Sequence, residues 1–578
     1  MLYNELDNRL PTAQQSFPFI RRFGLTYADK SEFVYKLARD SQPRILIRPR
    51  RFGKSTLLST LEELFLHGVK PYDGHDSCFK GLAIEKTWQD EGHYLVLHLD
   101  LYCINSCCSR VEQFHRKLIY EIASFCKEHQ LPVRKDAQDF TQVFGDMLRQ
   151  LPPSSLVLLV DEYDAPMLDY RDNAKELRAC RLLMQSLFGL VKRHAAKFRC
   201  VFFTGITRFQ GMDLGLSAGS FTDITHQSAF AACCGFTRGE LMLYFKPHLR
   251  HAAAVRLGLE DEEVTKAQTE SLIDAMVRWY GGYAFDGTGE GQVLSTWSVL
   301  RFFGDRKARL QVYWSHEEGL GFFRLMKKLF DSEQPRLLLE KTGTGIISVS
   351  EGEFLEASPV NKNSDAFAML VPFGYLTLKD PFTPGNGVHL ECPNQEIRRA
   401  FVNLLAERLF KPERCYTPSY AQKTVEVLTG LNPDAVGAYF NELLSALPRE
   451  DCPLTDASMV AALISINFLG TGLKPRTLTQ HDRESAAIVL DVPWLNLTFV
   501  FECRFEESAD EYRLDAGLNK AMEQLKARKG GLQECALSHV ARFAMVFCAS
   551  EDKRSIERVA LVDVMNRQLS FSPALHRL

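Results

Sequence analysis

Hydrophobic positions in this chain form short unbroken runs, separated by longer stretches in which they recur every three or four residues. Ile45-Leu46-Ile47 is one such run. After it, Leu57, Leu58, Leu61, Leu64 and Phe65 keep the spacing of one helical face, which predicts a helix starting at Lys54. Tyr94–Asp100, Leu156–Val160 and Arg199–Gly205 read as further strands. Helical patterns are expected from Ser109 to Glu128, from Asp139 to Leu151 and over residues 175–197, and a shorter one through Phe33, Val34 and Leu37. Strands alternating with helices predict a parallel sheet covered on both faces, with a ligand crevice at the carboxyl ends of its strands.

Beyond residue 236 the pattern turns helical and aromatic-rich, through Trp279-Tyr280-Gly281-Gly282-Tyr283, Thr296-Trp297 and Tyr313-Trp314. The aromatics are expected to pack rather than to stack on bases. Short strands are expected at Ile346–Val349 and Gly374–Leu378, and Pro393-Asn394-Gln395-Glu396 opens a helix. Helices follow over 419–446 and at Ala457–Leu469. The strands Ala486–Leu490 and Leu497–Glu502, a helix from Arg513 to Arg528 and a last strand at Phe543–Phe547 complete a separate small α/β domain.

Composition narrows this little. The chain has 578 residues, 46% apolar and 24% charged, ordinary for a folded protein of several domains. A net charge of −3 gives no global basic field for nucleic acid. No apolar run reaches the length of a membrane helix, so no membrane partner is expected. Met1 to Leu10 is polar and acidic, unlike a secretory leader. Fifteen scattered cysteines fit reduced thiols and a cytoplasmic location better than a disulfide framework, and neither Cys103/Cys107/Cys108 nor Cys233/Cys234 has zinc-site spacing.

The candidate chemistry sits where the first strand meets its helix, at Arg48-Pro49-Arg50-Arg51-Phe52-Gly53-Lys54-Ser55. Gly-Lys-Ser at a helix N-terminus offers backbone N–H groups, an ammonium and a hydroxyl to a phosphate. The usual pattern G-x-x-x-x-G-K-[ST] has glycine where this chain has Arg48. Asp161-Glu162 ends the Leu156–Val160 run. There Asp161, with Ser55, is expected to hold Mg²⁺, and Glu162 to activate water. At the tip of the next strand, Thr204 or Thr207 could sense a γ-phosphate and Arg208 could neutralise transition-state charge.

With these residues in hand the chain resembles the bacterial AAA-ATPase-like family, which joins an N-terminal P-loop ATPase to a C-terminal PD-(D/E)XK nuclease superfamily domain. The family's R-P-R-R-F-G-K-S stands unbroken at 48–55, so Arg48 is a family trait. Asp161-Glu162-Tyr163-Asp164-Ala165-Pro166 and Thr204-Gly205-Ile206 match further motifs, as do Asp29-Lys30, Phe79-Lys80-Gly81-Leu82, Tyr280-x-Gly282-Tyr283 and Pro393-Asn394-x-Glu396. The resemblance implies an α/β protein: a P-loop NTPase core with a parallel sheet over 1–235, a helical lid or coupling region over 236–345, a small mixed α/β or winged-helix-like connector over 346–415, and a restriction-endonuclease-like α/β domain over 416–578. It implies ATP and Mg²⁺ as cofactors. Lys54, Glu162 and Arg208 would be catalytic, Ser55 and Asp161 would ligate the metal, and Arg50, Arg51, Phe52, Gly53, Lys54, Ser55, Thr56 and Thr204 would hold the nucleotide.

The nuclease-like motif departs from the family pattern. Its first aspartate falls on Ala486 or Ala487, and Glu502-Cys503-Arg504 puts arginine where the catalytic lysine belongs. Arginine does not deprotonate at working pH. Asp482, Glu484 and Asp491 are the acids that could substitute, and Gln524 and Lys526 keep the helix pattern. The expectation is therefore an ATPase coupled to a domain that binds a nucleic acid or a protein without cutting, with a homo-oligomer left open. The alternatives are a nucleotide-gated binding module without turnover and an ATP-regulated DNA nuclease in defence against foreign DNA.

Overall fold

The computed structural model describes residues 10–11, 16–132, 139–208, 221–288, 291–314, 347–358, 364–365, 367–381, 385–400, 418–445, 454, 456–471, 473–478, 484–527, 539–549 and 554–565. The chain forms two compact units, Met1–Leu325 with Ser348–Asn394, and Met326–Ile347 with Gln395–Leu578. Residues 236–314 and Ser348–Asn394 thus cluster with the phosphate-loop core rather than standing apart from it.

The first unit is built on a sheet of β1 (Arg44–Ile47), β2 (Leu95–Asp100), β3 (Leu156–Asp161), β4 (Phe198–Gly205) and β5 (Thr222–Asp223), in the order β2-β3-β4-β1-β5 with every pairing parallel. β5 has two polar residues and no apolar run, so its pattern did not announce it. All six residues of β3 are buried, the consequence of being covered on both faces. α1 (Lys54–His67) follows β1, and α2 (Leu101–Asn105) follows β2. Next come α3 (Val111–Glu128), α4 (Phe140–Gln150) and α5 (Ala174–Arg193). The carboxylate of Asp139 accepts from the Thr141 and Gln142 amides, so Asp139 caps α4 rather than opening it. Asn173 caps α5 in the same way.

One face of the sheet, with Leu97, Leu158, Val160 and Val201, buries Phe114 of α3, Phe144 of α4 and Phe188 of α5. Each such side chain contributes about 1.5–3 kcal/mol by leaving water. Strand alternation then turns Leu159 and Asp161 of β3, Thr204 of β4 and His98 of β2 to the opposite face, where α1 packs. His98 Nδ1 lies 2.9 Å from Glu62 Oε2 of that helix.

The helices after residue 236 bury Leu241, Phe245, Met276, Tyr280, Val299 and Phe302 in a second core. Capping boxes at Thr237/Glu240 and Thr265/Gln268 start two of them. Several scattered motifs meet here. Lys30 Nζ bonds the Ala232 carbonyl at 2.8 Å and pairs with Glu240 at 2.6 Å. The Asp29 carboxylate accepts from the amides of Ser31 and Ala83, fixing the turn at Phe79–Leu82. A Cβ at Gly282 would lie 2.1 Å from the Pro393 carbonyl, and Asn394 Nδ2 donates to the Gly281 carbonyl at 2.7 Å. The glycine in the Tyr280–Tyr283 motif is there because the Pro393-Asn394 backbone passes against it. Three short strands occur toward the end of the unit: β6 (Ile347–Val349), β7 (Thr377–Leu378) and β8 (Val388–Glu391). β7 is shorter than expected, because Gly374 takes a left-handed φ of 78° before it.

The second unit carries a sheet of β9 (Lys474–Leu478), β10 (Ser485–Val492), β11 (Leu497–Glu506), β12 (His539–Ala549) and β13 (Arg554–Met565), in the order β13-β12-β11-β10-β9. Only the β11–β12 pair is parallel. The expected last strand, Phe543–Phe547, is therefore not the last: β13 follows it and closes that edge. Its short apolar run Val559–Val562 is bracketed by the charged Glu557-Arg558 and Asp563, which hides the length of the strand. α6 (Pro433–Ser445) and α7 (Ala457–Gly470) cover one face, where Phe440 and Phe468 meet Phe501. α8 (Glu511–Ala527) covers the other, burying Ala521 and Leu525 against Val489, Val500 and Ala544.

Candidate functional site

The loop from Arg48 to Gly53 leaves the carboxyl end of β1 and enters α1 with Gly53 in the left-handed region, φ 93°. Arg48, standing at the usual first glycine, is fully buried. Its Nη1 donates to the carbonyls of Ile47 and Thr225, both at 2.8 Å, and its Nη2 donates to that of Phe230 at 3.0 Å. Its guanidinium lies 4.1 Å from the centre of the Phe285 ring. Arg48 is thus a pin joining the loop to the segment after β5. Phe52 is a second anchor, its ring 4.8 Å from Tyr283, 5.5 Å from Phe285 and 6.5 Å from Trp314. The Phe52 carbonyl accepts from the Gly235 amide at 2.9 Å and from Thr296 Oγ1 at 3.1 Å.

Lys54 is buried, and its Nζ donates to the carbonyls of Arg48 and Pro49, each at 3.1 Å. Ser55, the next residue of α1, donates through Oγ to Asp161 Oδ2 at 2.6 Å. The other carboxylate oxygen, Oδ1, accepts from Thr204 Oγ1 at 2.5 Å and from the Glu162 amide at 2.9 Å. This convergence follows from strand order. β4 lies between β1 and β3, so its tip residue Thr204 stands between the phosphate loop and the acidic strand end. Thr56 lies one residue deeper in α1 and is half-buried. The Ser55 hydroxyl and the Asp161 carboxylate are hard oxygen donors at a helix N-terminus, the type Mg²⁺ takes.

Glu162 holds a left-handed φ of 47°, uncommon for a residue with a side chain. Burial pushes its carboxyl above the usual range, while Lys54 and Arg50 pull it back. Arg50 Nη2 lies 4.0 Å from Glu162 Oε2, and its guanidinium is 5.9 Å from the Tyr102 ring centre of α2. The two residues after Glu162 serve the loop following β4. Fully buried Asp164 accepts through Oδ2 from the amides of Ile206 and Thr207, at 3.0 and 2.7 Å, and from Thr207 Oγ1 at 2.9 Å. Tyr163 Oη donates to the Thr207 carbonyl at 2.8 Å. A Cβ at Gly205 would lie 2.6 Å from Tyr163 Cε1 and 2.7 Å from Asp164 Oδ1. The D-E-Y-D and T-G-I motifs are therefore two halves of one packed junction.

The two threonines offered as sensors separate clearly. Thr204 is bonded to Asp161, whereas Thr207 is bonded to Asp164. Arg208 is engaged by Asp223 of β5, with Nε 2.7 Å from Oδ2. Burial alone would raise the Asp223 carboxyl, but Arg208 and the bonds from Thr225 outweigh it and hold it down to about 2. Sequence reasoning missed the Arg48 pin, the Phe52 box and the Asp164 bracket. The second aspartate of Asp161-Glu162-Tyr163-Asp164 was the only signal for the bracket, and the aromatic spacing after 279 the only one for the box.

In the second unit, β10–β11 pairing places Ala487 across from Glu502 and Ser485 across from Arg504. Ala486 pairs with Cys503, whose side chain alternates to the other face, so of the two alanines it is Ala487 that stands opposite Glu502. Glu502 is fully buried. Arg504 Nη2 bonds Glu484 Oε2 at 2.5 Å, which commits both residues. Asp491 accepts from Thr498 Oγ1 at 2.7 Å and lies four strand residues beyond Ala487, about 13 Å away at ordinary strand rise. It does not lie beside Glu502. Asp482 lies outside the described residues. Among the described residues, no group of three or more His, Cys, Asp or Glu side chains is placed to hold a metal.

Residues 11–215 match the model of a family described as predicted AAA-ATPase. The resemblance to the AAA-ATPase-like family therefore holds over the segment that carries both motifs. The chain is also 26% identical over 448 residues to an uncharacterized protein in the vnfD 5′ region of Azotobacter chroococcum mcd 1, covering 76% of this chain and 78% of that one. No helix among the described residues is long and apolar enough to cross a membrane.

Proposed function

We propose that the first unit binds and hydrolyses ATP at the junction of β1, β3 and β4. The observation that carries this is the bonded set Ser55–Asp161–Thr204, assembled beside a Gly-Lys-Ser helix start. The backbone of residues 50–55 would cradle the phosphates, with Thr56 on the first turn of α1 behind them. Lys54 would leave its two carbonyl acceptors for the β- and γ-phosphate oxygens. Ser55 and Asp161 would hold Mg²⁺, which supplies charge neutralisation on the phosphates when bound. Glu162 would take a proton from the attacking water, its raised carboxyl pKa bringing it nearer to that task. Arg50 and Arg51 add positive charge at the mouth. Arg208 would act only after leaving Asp223. Full-length protein and E162Q are compared for ATP binding and turnover. E162Q should bind ATP while turnover falls about 10²–10⁴-fold, the weight of a general base. A wild type that binds ATP and turns it over no faster than E162Q would leave Glu162 without its catalytic role.

For the second unit we propose a restriction-endonuclease-like domain that binds a nucleic acid or a protein without cutting. Ala487 opposite Glu502, and Arg504 tied to Glu484, support this reading. Incubation of plasmid DNA with the protein and Mg²⁺ or Mn²⁺ should leave it intact. Cleavage that disappears in E502A would overturn the inactive reading.

A further inference from the structure

Arg51 turns the loop with φ 69°, left-handed backbone that a residue with a side chain seldom adopts. Its carbonyl accepts from the Trp297 amide at 3.2 Å. Trp297 belongs to the helix Thr296–Phe303, whose Ser295 side chain caps it through the Ser298 amide. The Arg51 guanidinium lies over the Trp297 ring, 4.9 Å from its centre. Arg301, one turn further along the helix, is 4.8 Å from the same ring. The indole N–H donates to the Tyr313 carbonyl at 3.1 Å, which fixes the plane of the ring. Trp297 therefore holds one loop arginine twice, its backbone through the Trp297 amide and its side chain through the ring.

The arginine is not satisfied there. Arg51 Nη1 is buried and finds no hydrogen-bond acceptor among the described residues. A ring face takes up the charge of a guanidinium but accepts little of its N–H donation. Arg51 as a whole is half-buried, but a shielded cationic N–H calls for an anionic acceptor, and a planar N–H fork fits phosphate oxygens. The geometry points to Trp297 as a positioning residue: its ring holds the half-buried Arg51 guanidinium at the loop, where its fork can meet an oxyanion of the phosphate chain. This rests on the nucleotide reading above and adds to it the residue that orders the loop's own cation. Stacking removes the rotamer freedom that Arg51 would otherwise lose on binding.

Binding of ATP, inorganic pyrophosphate and adenosine to the full-length protein is measured by calorimetry for wild type, R51A, W297L, W297F and R51A/W297L. W297L should weaken ATP and pyrophosphate about three- to tenfold, the ordering cost of one long side chain. W297F keeps a ring and should recover most of that loss, and adenosine should be unaffected. In the R51A background W297L should cost nothing further, because it acts through Arg51. Additive losses, or equal losses in W297F and W297L, would show a merely structural tryptophan and overturn the inference. Should W297L fail to fold, R51K leaves the ring intact, keeps the charge and removes the planar fork. It should show the same loss, and wild-type affinity in R51K would also overturn the inference. A wild type that binds neither ATP nor pyrophosphate sinks the nucleotide reading itself, and the inference with it. Wild-type binding with additive losses sinks the inference alone.

Discussion

Replacing Arg48 with glycine restores the usual first residue of a phosphate-binding loop, and it should damage this protein. Arg48 makes three hydrogen bonds to carbonyls, at 2.8, 2.8 and 3.0 Å, and lies 4.1 Å from the Phe285 ring centre. Charged hydrogen bonds contribute about 1.5–3 kcal/mol each, and a desolvated cation–π contact about 2 kcal/mol. The gross loss would be about 6–11 kcal/mol. Against it stands the cost of burying the guanidinium, several kcal/mol, which the variant no longer carries. A net loss of about 3–5 kcal/mol is expected, together with weaker nucleotide binding, since the backbone carbonyl of residue 48 that receives Lys54 would lose the side chain anchoring it. R48K keeps the charge without the fork and should fall between the two. Urea denaturation followed by tryptophan fluorescence measures the stability, and calorimetry with ATP the site. An R48G protein within about 1 kcal/mol of wild type that binds ATP as well or better would refute the reasoning, because it would make Arg48 a tolerated departure rather than a pin.

A methyl group at position 205 meets Tyr163 and Asp164 at 2.6 and 2.7 Å, so G205A should cost about 1–3 kcal/mol by overpacking and lower ATP turnover, read by denaturation and by phosphate release. The Asp223 carboxyl sits lower in the folded state, about 2, than the unfolded value of about 4. Its stabilisation is therefore present at neutral pH and lost as pH falls from about 4 through 2. Denaturation of wild type and D223N at pH 6, 4 and 3 should show the gap between them closing on the acid side, and a constant gap would count against the pair.

The phosphate loop and the acidic strand end were legible because each couples an unbroken apolar run to charged residues at its carboxyl end. β1 and β3 announced themselves in this way, β4 by its apolar run alone, and the helix at Lys54 by the spacing of its leucines. Arg48 was legible only as an anomaly. Its partners, Thr225, Phe230 and Phe285, lie far along the chain, and no local pattern links them. Strand register was likewise hidden in the sequence. Only pairing across β10 and β11 could choose Ala487 over Ala486 and set Asp491 aside. β13 was missed because Glu557-Arg558 and Asp563 bracket its four-residue apolar run and leave no clear strand-length pattern.

The position of β4 has a consequence for synthesis and folding. β1 and β3 are not neighbours; β4 separates them, leaving two strand spacings, about 9–10 Å, between their backbones. Ser55 and Asp161 can bridge that gap only once the intervening strand is seated. Yet β4 begins at Phe198, after both motifs have been made. A nascent chain that has passed Asp161 carries the phosphate loop and the acidic strand end but still lacks Thr204 and the strand that gives them geometry. A fragment ending before Phe198 should bind no nucleotide, and closing this long-range insertion should limit the folding rate of the first unit.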